Sequence, residues 1–153
     1  MTDSPSLPLN VDLDAFLCFA VYSAGHAFNR VYRRPLERLG LTYPQYLAMT
    51  ALWSEDGISV GRLGERLALD TNTVTPLLKR LEAMGLVTRR RSAADERRVV
   101  VALTDKGGAM RREAGDVIGC IAEAMGLPEA DLVRLTREIR ALRGHLERAA
   151  AAA

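Results

Sequence analysis

The chain has 153 residues, 21 Lys or Arg against 19 Asp or Glu, 48% apolar residues and 5% aromatic ones. That length allows one domain with a real core, and no apolar run is long enough to span a bilayer. Two cysteines do not make a disulfide framework. With no Gly-rich phosphate loop, CxxC pair or HExxH, and with His26 and His145 isolated, the chain implies no cofactor, no metal and no catalytic constellation. The N-terminus lacks a basic region followed by a hydrophobic core, so it does not read as a secretory signal. We expect a cytoplasmic, non-enzymatic protein.

In chain order, residues 1–11 are polar and Pro-rich and read as a flexible arm. Asp12 or Asp14 can cap a first helix. Its apolar face holds Leu13, Phe16, Leu17, Ala20, Val21, Ala24 and Phe28. This helix is expected to run to about Arg33, where Pro35 kinks or ends it. Leu36 and Leu39 continue the apolar pattern and Gly40 closes it. Thr42 followed by Gln45 fits a capping box, with Pro44 in the permitted first turn. The helix that follows carries Tyr46, Leu47, Met49, Leu52 and Trp53. Asp56 and Gly57 turn the chain, and Ser59 caps a short helix to Ala68.

Asp70 caps the next helix. Val74, Leu77, Leu78, Leu81 and Met84 recur on one face, which leaves Thr73, Thr75, Pro76, Lys79 and Arg80 on the other. Pro76 fits only if it lies near the first turn. Gly85 stops the helix. Leu86, Val87 and Thr88 lead into Arg89, Arg90 and Arg91, and after Asp95 the chain returns through Val99, Val100 and Val101 as a basic-tipped hairpin. Two short helices, a turn and a β-ribbon describe a winged helix-turn-helix. Such a module places its second helix in the major groove and its ribbon on the backbone or minor groove. The fold class is therefore mainly α with a small β-wing, α+β. The winged module spans 42–103, and helical regions at 12–41 and 104–148 flank it within one domain, 12–148.

Thr104 caps a further helix from about Asp105 to Met125, and Gly126–Leu127–Pro128 breaks it. The last helix carries Leu132, Leu135, Ile139, Leu142 and Leu146 at three- and four-residue steps, a coiled-coil-like stripe. We expect these flanking helices to form a homodimer, which would present two recognition helices to two half-sites about one DNA turn apart. The Ala149–Ala153 tail is expected to fray.

Charge supports a polyanion partner. Residues 76–112 hold ten Lys or Arg against four Asp or Glu, a balance of +6, while the remainder sums to −4. That concentration, rather than the net charge, is the footprint of duplex DNA.

Cys18 lies in the first helix with Tyr22 one turn on, on the same face. Read alone, it is a small buried hydrophobe or a thiolate stabilised by a phenol. The motifs LDAFLCFAVYSAG, LGLTYPQYLAMTALW, TPLLKRLEAMGLV and DERRVVVALTDKG, from about Leu13 to Leu146, resemble the MarR family of winged-helix dimers. They resemble most its organic-hydroperoxide sensors, the OhrR-like repressors. The resemblance implies that Cys18 is the peroxidatic cysteine. It implies that Tyr32 and Tyr43 hydrogen-bond its thiolate, often from the partner subunit, with Tyr22 a third tyrosine nearby. Phe16 and Phe19 would line the oxidant pocket. In the wing, Asp95 would brace the ribbon and Arg97 reach the minor groove, assisted by Arg98. Asn72, Thr73, Thr75 and Lys79 would face the major groove, and Lys79, Arg80, Arg89, Arg90 and Arg91 would meet phosphates.

The implied function is a repressor that binds operator DNA when reduced. It would release that DNA when an organic hydroperoxide oxidises Cys18 to a sulfenic acid and then to a disulfide. Cys120 lies about one helical turn from the family's resolving position. A resolving role and an inert thiol both stay open for it, as does a mixed disulfide with a small thiol. Three other readings also stay open: a MarR-type repressor released by a small aromatic ligand with Cys18 structural, a thiol peroxidase, and an activator.

Overall fold

Local sequence signals set most helix starts. The structure, a computed structural model, describes residues 12–152. The arm expected over 1–11 lies outside the described residues. A 3-10 turn, Leu13–Ala15, precedes α1 (Leu17–Leu39), α2 (Tyr43–Ser54), β1 (Ile58–Ser59), α3 (Val60–Leu67), α4 (Thr71–Ala83), β2 (Val87–Arg91), β3 (Val99–Leu103), α5 (Asp105–Met125) and α6 (Glu129–Ala151).

The caps are made as the residue types dictate. The Gln45 N–H donates to Thr42 Oγ1 at 3.4 Å, and Gln45 Oε1 accepts from the Thr42 N–H at 2.9 Å, a complete capping box. Ser59 Oγ accepts from Arg62 N–H at 3.1 Å, and Asp70 Oδ1 from Thr73 N–H at 3.0 Å. Each bond satisfies a donor with no helical partner.

Four local expectations are not met, and at the two prolines tertiary packing is the reason. Asp12 caps only the 3-10 turn, and α1 starts at Leu17 without a side-chain cap. Pro35 does not end α1, which continues to Leu39. The missing Pro35 N–H forgoes one bond to Val31, but Leu36 and Leu39 are buried and hold the last turn on the core. Pro76 is the sixth residue of α4, beyond the first turn. It has no N–H for the Asn72 carbonyl, and α4 persists because Val74, Leu78 and Leu81 are fully buried. Burying each such side chain contributes about 1.5–3 kcal/mol. The last helix, α6, holds to Ala151 rather than fraying from Ala149, as the high helix propensity of alanine permits.

The sheet has three antiparallel strands in the order β1-β3-β2. The ribbon thus gains a strand that the sequence showed only as a turn. Ile58 pairs with Val101, Arg89 with Val101, and Arg91 with Val99. The arginine triplet consequently lies within β2 rather than at the tip of the hairpin; the tip is Ser92–Arg98, and it is basic through Arg97 and Arg98. The ladder continues through residues 89–91 because Val99–Leu103 supplies an unbroken partner.

The chain divides into two compact units, one reaching Val117 and the other starting at Ile118. The first holds the winged module, with a core of α1's last turn, α2, α3, α4 and the inner face of the sheet. In it Met49, Leu52, Leu63, Leu78, Leu81, Leu86 and Val101 are fully enclosed. The outer part of α1 leaves Leu17, Val21, Tyr22, Phe28 and Val31 exposed. The second unit is the end of α5 with α6. No residue of α6 is buried, and Val133, Ile139 and Leu146 are exposed.

Candidate DNA interface and thiol site

On α4 the residues outside the apolar face are open to solvent. Asn72, Thr73, Pro76, Lys79 and Arg80 are exposed and Thr75 is half-buried. Thr73 Oγ1 donates to Asp70 Oδ1 at 3.1 Å, so its hydroxyl already serves the cap. A cleft of about 480 Å³ runs between α3, the start of α4 and the ribbon, and its lining includes Arg62, Thr71, Thr75, Arg89, Arg97 and Arg98. Glu65 is the one acidic residue on that lining. Arg62 was not singled out from the sequence. Its place just inside the Ser59 cap was the available signal, since a helix start and a guanidinium both favour anions.

At the wing tip Asp95 Oδ1 accepts from Arg97 N–H at 3.0 Å, and the Asp95 carbonyl accepts from Arg98 N–H at 2.9 Å. Asp95 closes the turn that presents Arg97 and Arg98, both exposed. The arginines of β2 do not act together, because alternate residues of a strand face opposite ways. Arg90 lies with Thr88, Val100 and Ala102 along one face of the ribbon, and Arg89 lines the cleft on the other. Arg91 is exposed at the end of the strand. The Arg89 guanidinium is occupied by Glu82, with Nη2 at 2.7 Å from Oε2.

Cys18 is exposed, with Phe16 and Phe19 half-buried beside it. Tyr22 meets His26 edge-on, ring centroids 4.4 Å apart. Tyr32 stacks on Tyr43 at 4.5 Å and lies 5.8 Å from Tyr46, which in turn lies 6.3 Å from Trp53. Sequence reading put Tyr46 and Trp53 on the second helix and missed that they extend this cluster. Burial, then the neighbouring Tyr43 and Tyr46, push the Tyr32 phenol up to about 12. Burial likewise raises Tyr43 and Tyr46.

One chain does not bring Cys18 to these phenols. Cys18 and Tyr32 are 14 residues apart on one continuous helix. At ~1.5 Å per residue that is about 21 Å along the axis, far beyond hydrogen-bond reach. Cys120 is a free, exposed thiol on α5. Among the described residues no group of three His, Cys, Asp or Glu side chains could hold a metal ion. Among them, too, no helix is long and apolar enough to cross a membrane.

A capped helix-turn-helix, a ribbon with arginines at its tip and an arginine-lined cleft between them define a winged-helix DNA-binding regulator. The chain matches the family model for the transcriptional regulator SarA/Rot over residues 30–113. It is 52% identical over 114 residues to the HTH-type transcriptional regulator TtmR of Methylorubrum extorquens, covering 74% of this chain but only 56% of that protein. It is 42% identical over 112 residues to the organic hydroperoxide resistance transcriptional regulator of Bacillus subtilis, covering 73% of this chain and 76% of the relative. Among solved structures, reduced AbfR bound to DNA superposes with a TM-score of 0.72 at 35% identity, covering 85% of this chain and 90% of that one. Disulfide-formed AbfR superposes with a TM-score of 0.65, also at 35% identity, over 85% and 88%. The chain belongs to the MarR/SarA-type winged-helix family of transcriptional regulators.

Proposed function

We propose that the chain is a homodimeric repressor that binds operator DNA when Cys18 is reduced and releases it when an organic hydroperoxide oxidises Cys18. The observation that carries this reading is the pairing of an exposed Cys18 with a stacked Tyr32–Tyr43 pair that its own chain holds about 21 Å away. A second copy, packed on the exposed apolar residues of α1 and α6, supplies the missing phenols. Each site is then shared between subunits. The names of the Bacillus relative and of the disulfide-formed AbfR structure support the same chemistry.

The steps follow from the residues. Tyr32, held at a high pKa, keeps its proton and stays a donor to the thiolate. The Cys18 thiolate attacks one peroxide oxygen, the O–O bond breaks, and the other oxygen leaves as an alcohol after taking up a proton. Cys18 becomes a sulfenic acid. A thiol, from Cys120 or from a small cellular thiol, then displaces water from it and forms a disulfide. Phe16 and Phe19 offer the apolar surroundings that favour an organic over an inorganic peroxide. The larger, polar sulfur no longer fits the phenol pair, and the two recognition helices lose the spacing that lets both half-sites be held together.

On DNA, Asn72 and Thr75 face base edges, Lys79, Arg80, Arg90 and Arg91 face phosphates, and Arg97 with Arg98 enters the minor groove. The site of action is the cytoplasm. The test is a titration of the reduced dimer on operator DNA with an organic hydroperoxide, wild type beside Cys18→Ser, with intact mass read on the same samples. Release by wild type alone, accompanied by an oxygen, disulfide or thiol-adduct mass, supports the reading. Equal release by both variants overturns it.

A further inference from the structure

We propose that Glu82 is a positioning residue that clamps the root of the wing to the recognition helix, so that Arg89 serves as the grip of this clamp and makes no phosphate contact. The inference rests on the DNA-binding reading above and is independent of the peroxide chemistry.

Glu82 sits in the last turn of α4 and Arg89 is the third residue of β2. Both carboxylate oxygens are used. Oε1 accepts the Arg89 main-chain N–H at 3.0 Å, and Oε2 accepts Nε at 3.0 Å and Nη2 at 2.7 Å. A bond to the main chain fixes where β2 lies along α4, and the bond pair to the guanidinium fixes its rotation. Exposed ion pairs are worth little on average, but this one is charge-assisted, made through two guanidinium nitrogens and partly screened from water. The side chains of Arg89 and Glu82 are 24% and 37% exposed. The Arg89 hydrogen bonds hold the Glu82 carboxyl below its ordinary value, so it is ionised at neutral pH.

Leverage makes this position matter. Ser92, at the start of the tip, lies three residue steps beyond Arg89, about 10 Å of strand at ~3.3 Å per residue. A swing of about 10° at the root would carry the tip by nearly 2 Å, more than a hydrogen bond tolerates. Among the side-chain hydrogen bonds of the described residues, those that Arg89 donates to Glu82 are the ones that tie α4 to β2. An arginine already neutralised by a carboxylate also displaces few of the counterions condensed on DNA.

The two roles of Arg89 predict opposite signs for Glu82→Gln. If Arg89 were a phosphate contact, freeing it would tighten binding and steepen the salt dependence by about one counterion. As a clamp, its loss weakens binding about tenfold, within the range of a lost wing contact.

The probe is a duplex selected by the wild-type chain from a random pool. It is footprinted with hydroxyl radicals, which read the minor groove, and with dimethyl sulfate, which reads guanine N7 in the major groove. We expect Glu82→Gln, Arg89→Gln and the double variant to lose minor-groove protection under the wing to a similar extent. All three should keep major-groove protection under α4. Tighter binding by Glu82→Gln, additive losses in the double variant, or an unchanged footprint overturns the clamp. Parallel loss of both protections also overturns it, since that reports general unfolding. A wild-type protein that never protects the minor groove removes the premise instead.

Discussion

The Trp53 indole N–H donates to the Gly107 carbonyl at 2.9 Å, joining the end of α2 to the first turn of α5. The same turn is pressed against the root of the wing. A Cβ at Gly107 would overlap the Leu86 carbonyl, which also accepts the Thr104 N–H at 3.1 Å. Trp53→Phe keeps an aromatic ring and loses the hydrogen bond, so it should cost about 1 kcal/mol. Gly107→Ala forces backbone apart and should cost about 3 kcal/mol. Urea unfolding of both variants checks the ranking. Equal, negligible losses would mean that this junction bears no load.

Mixed dimers test whether the thiol site is shared. Cys18→Ser alone removes the sulfur from both sites, and Tyr32→Phe with Tyr43→Phe removes the donors from both. A heterodimer of the two variants rebuilds one complete site only if the phenols come from the other subunit. The expected outcome is rapid oxidation of about half the sites in the mixed dimer, read by mass, with both homodimers slow. A mixed dimer as slow as its parents would place the phenols on the wrong chain.

Tyr32 gives a pH dependence with a definite sign. Its phenol is raised from 10.0 to about 12 in the folded chain, so folding favours the neutral form. That contribution to stability is fully present below pH 10 and is lost as pH rises toward about 12. Absorbance titration near 295 nm should show a late-ionising phenol that vanishes in Tyr32→Phe, with a shallower alkaline loss of stability in that variant. An unchanged late step would assign it to another residue.

The recognition helix and the wing should separate in their DNA phenotypes. Arg97→Ala is expected to weaken binding and lower the salt slope by about one, with little change in sequence preference across the major groove. Asn72→Ala should cost about 1–3 kcal/mol and relax preference at one base pair. Thr73→Val should act through the Asp70 cap, lowering stability by about 1 kcal/mol while preference is kept. Selection from a random pool, repeated for each variant at two salt concentrations, distinguishes these outcomes.

The parts of this protein legible in its sequence are those decided within a few residues. Thr42 with Gln45, Ser59 and Asp70 announced three helix starts, because a cap is a bond between neighbours. Gly40, Gly57 and Gly85, all at positive φ, announced turns for the same reason. The winged module and its exposed α4 face followed from periodicity and charge, and Cys18 stood out through its motif. Tertiary structure alone decided the rest. Pro35 and Pro76 were carried inside helices because Leu36, Leu39, Leu78 and Leu81 gain more by burial than one missing hydrogen bond costs. The arginine run entered a strand because Val99–Leu103 lay opposite to pair with it. Arg89 turned to Glu82, seven residues back, because strand and helix met there. The separation of Cys18 from Tyr32 came from the unbroken run of α1. Caps and turns depend on the few atoms adjacent in the chain, whereas the partner of a charge and the distance between two side chains depend on which distant surfaces are buried together.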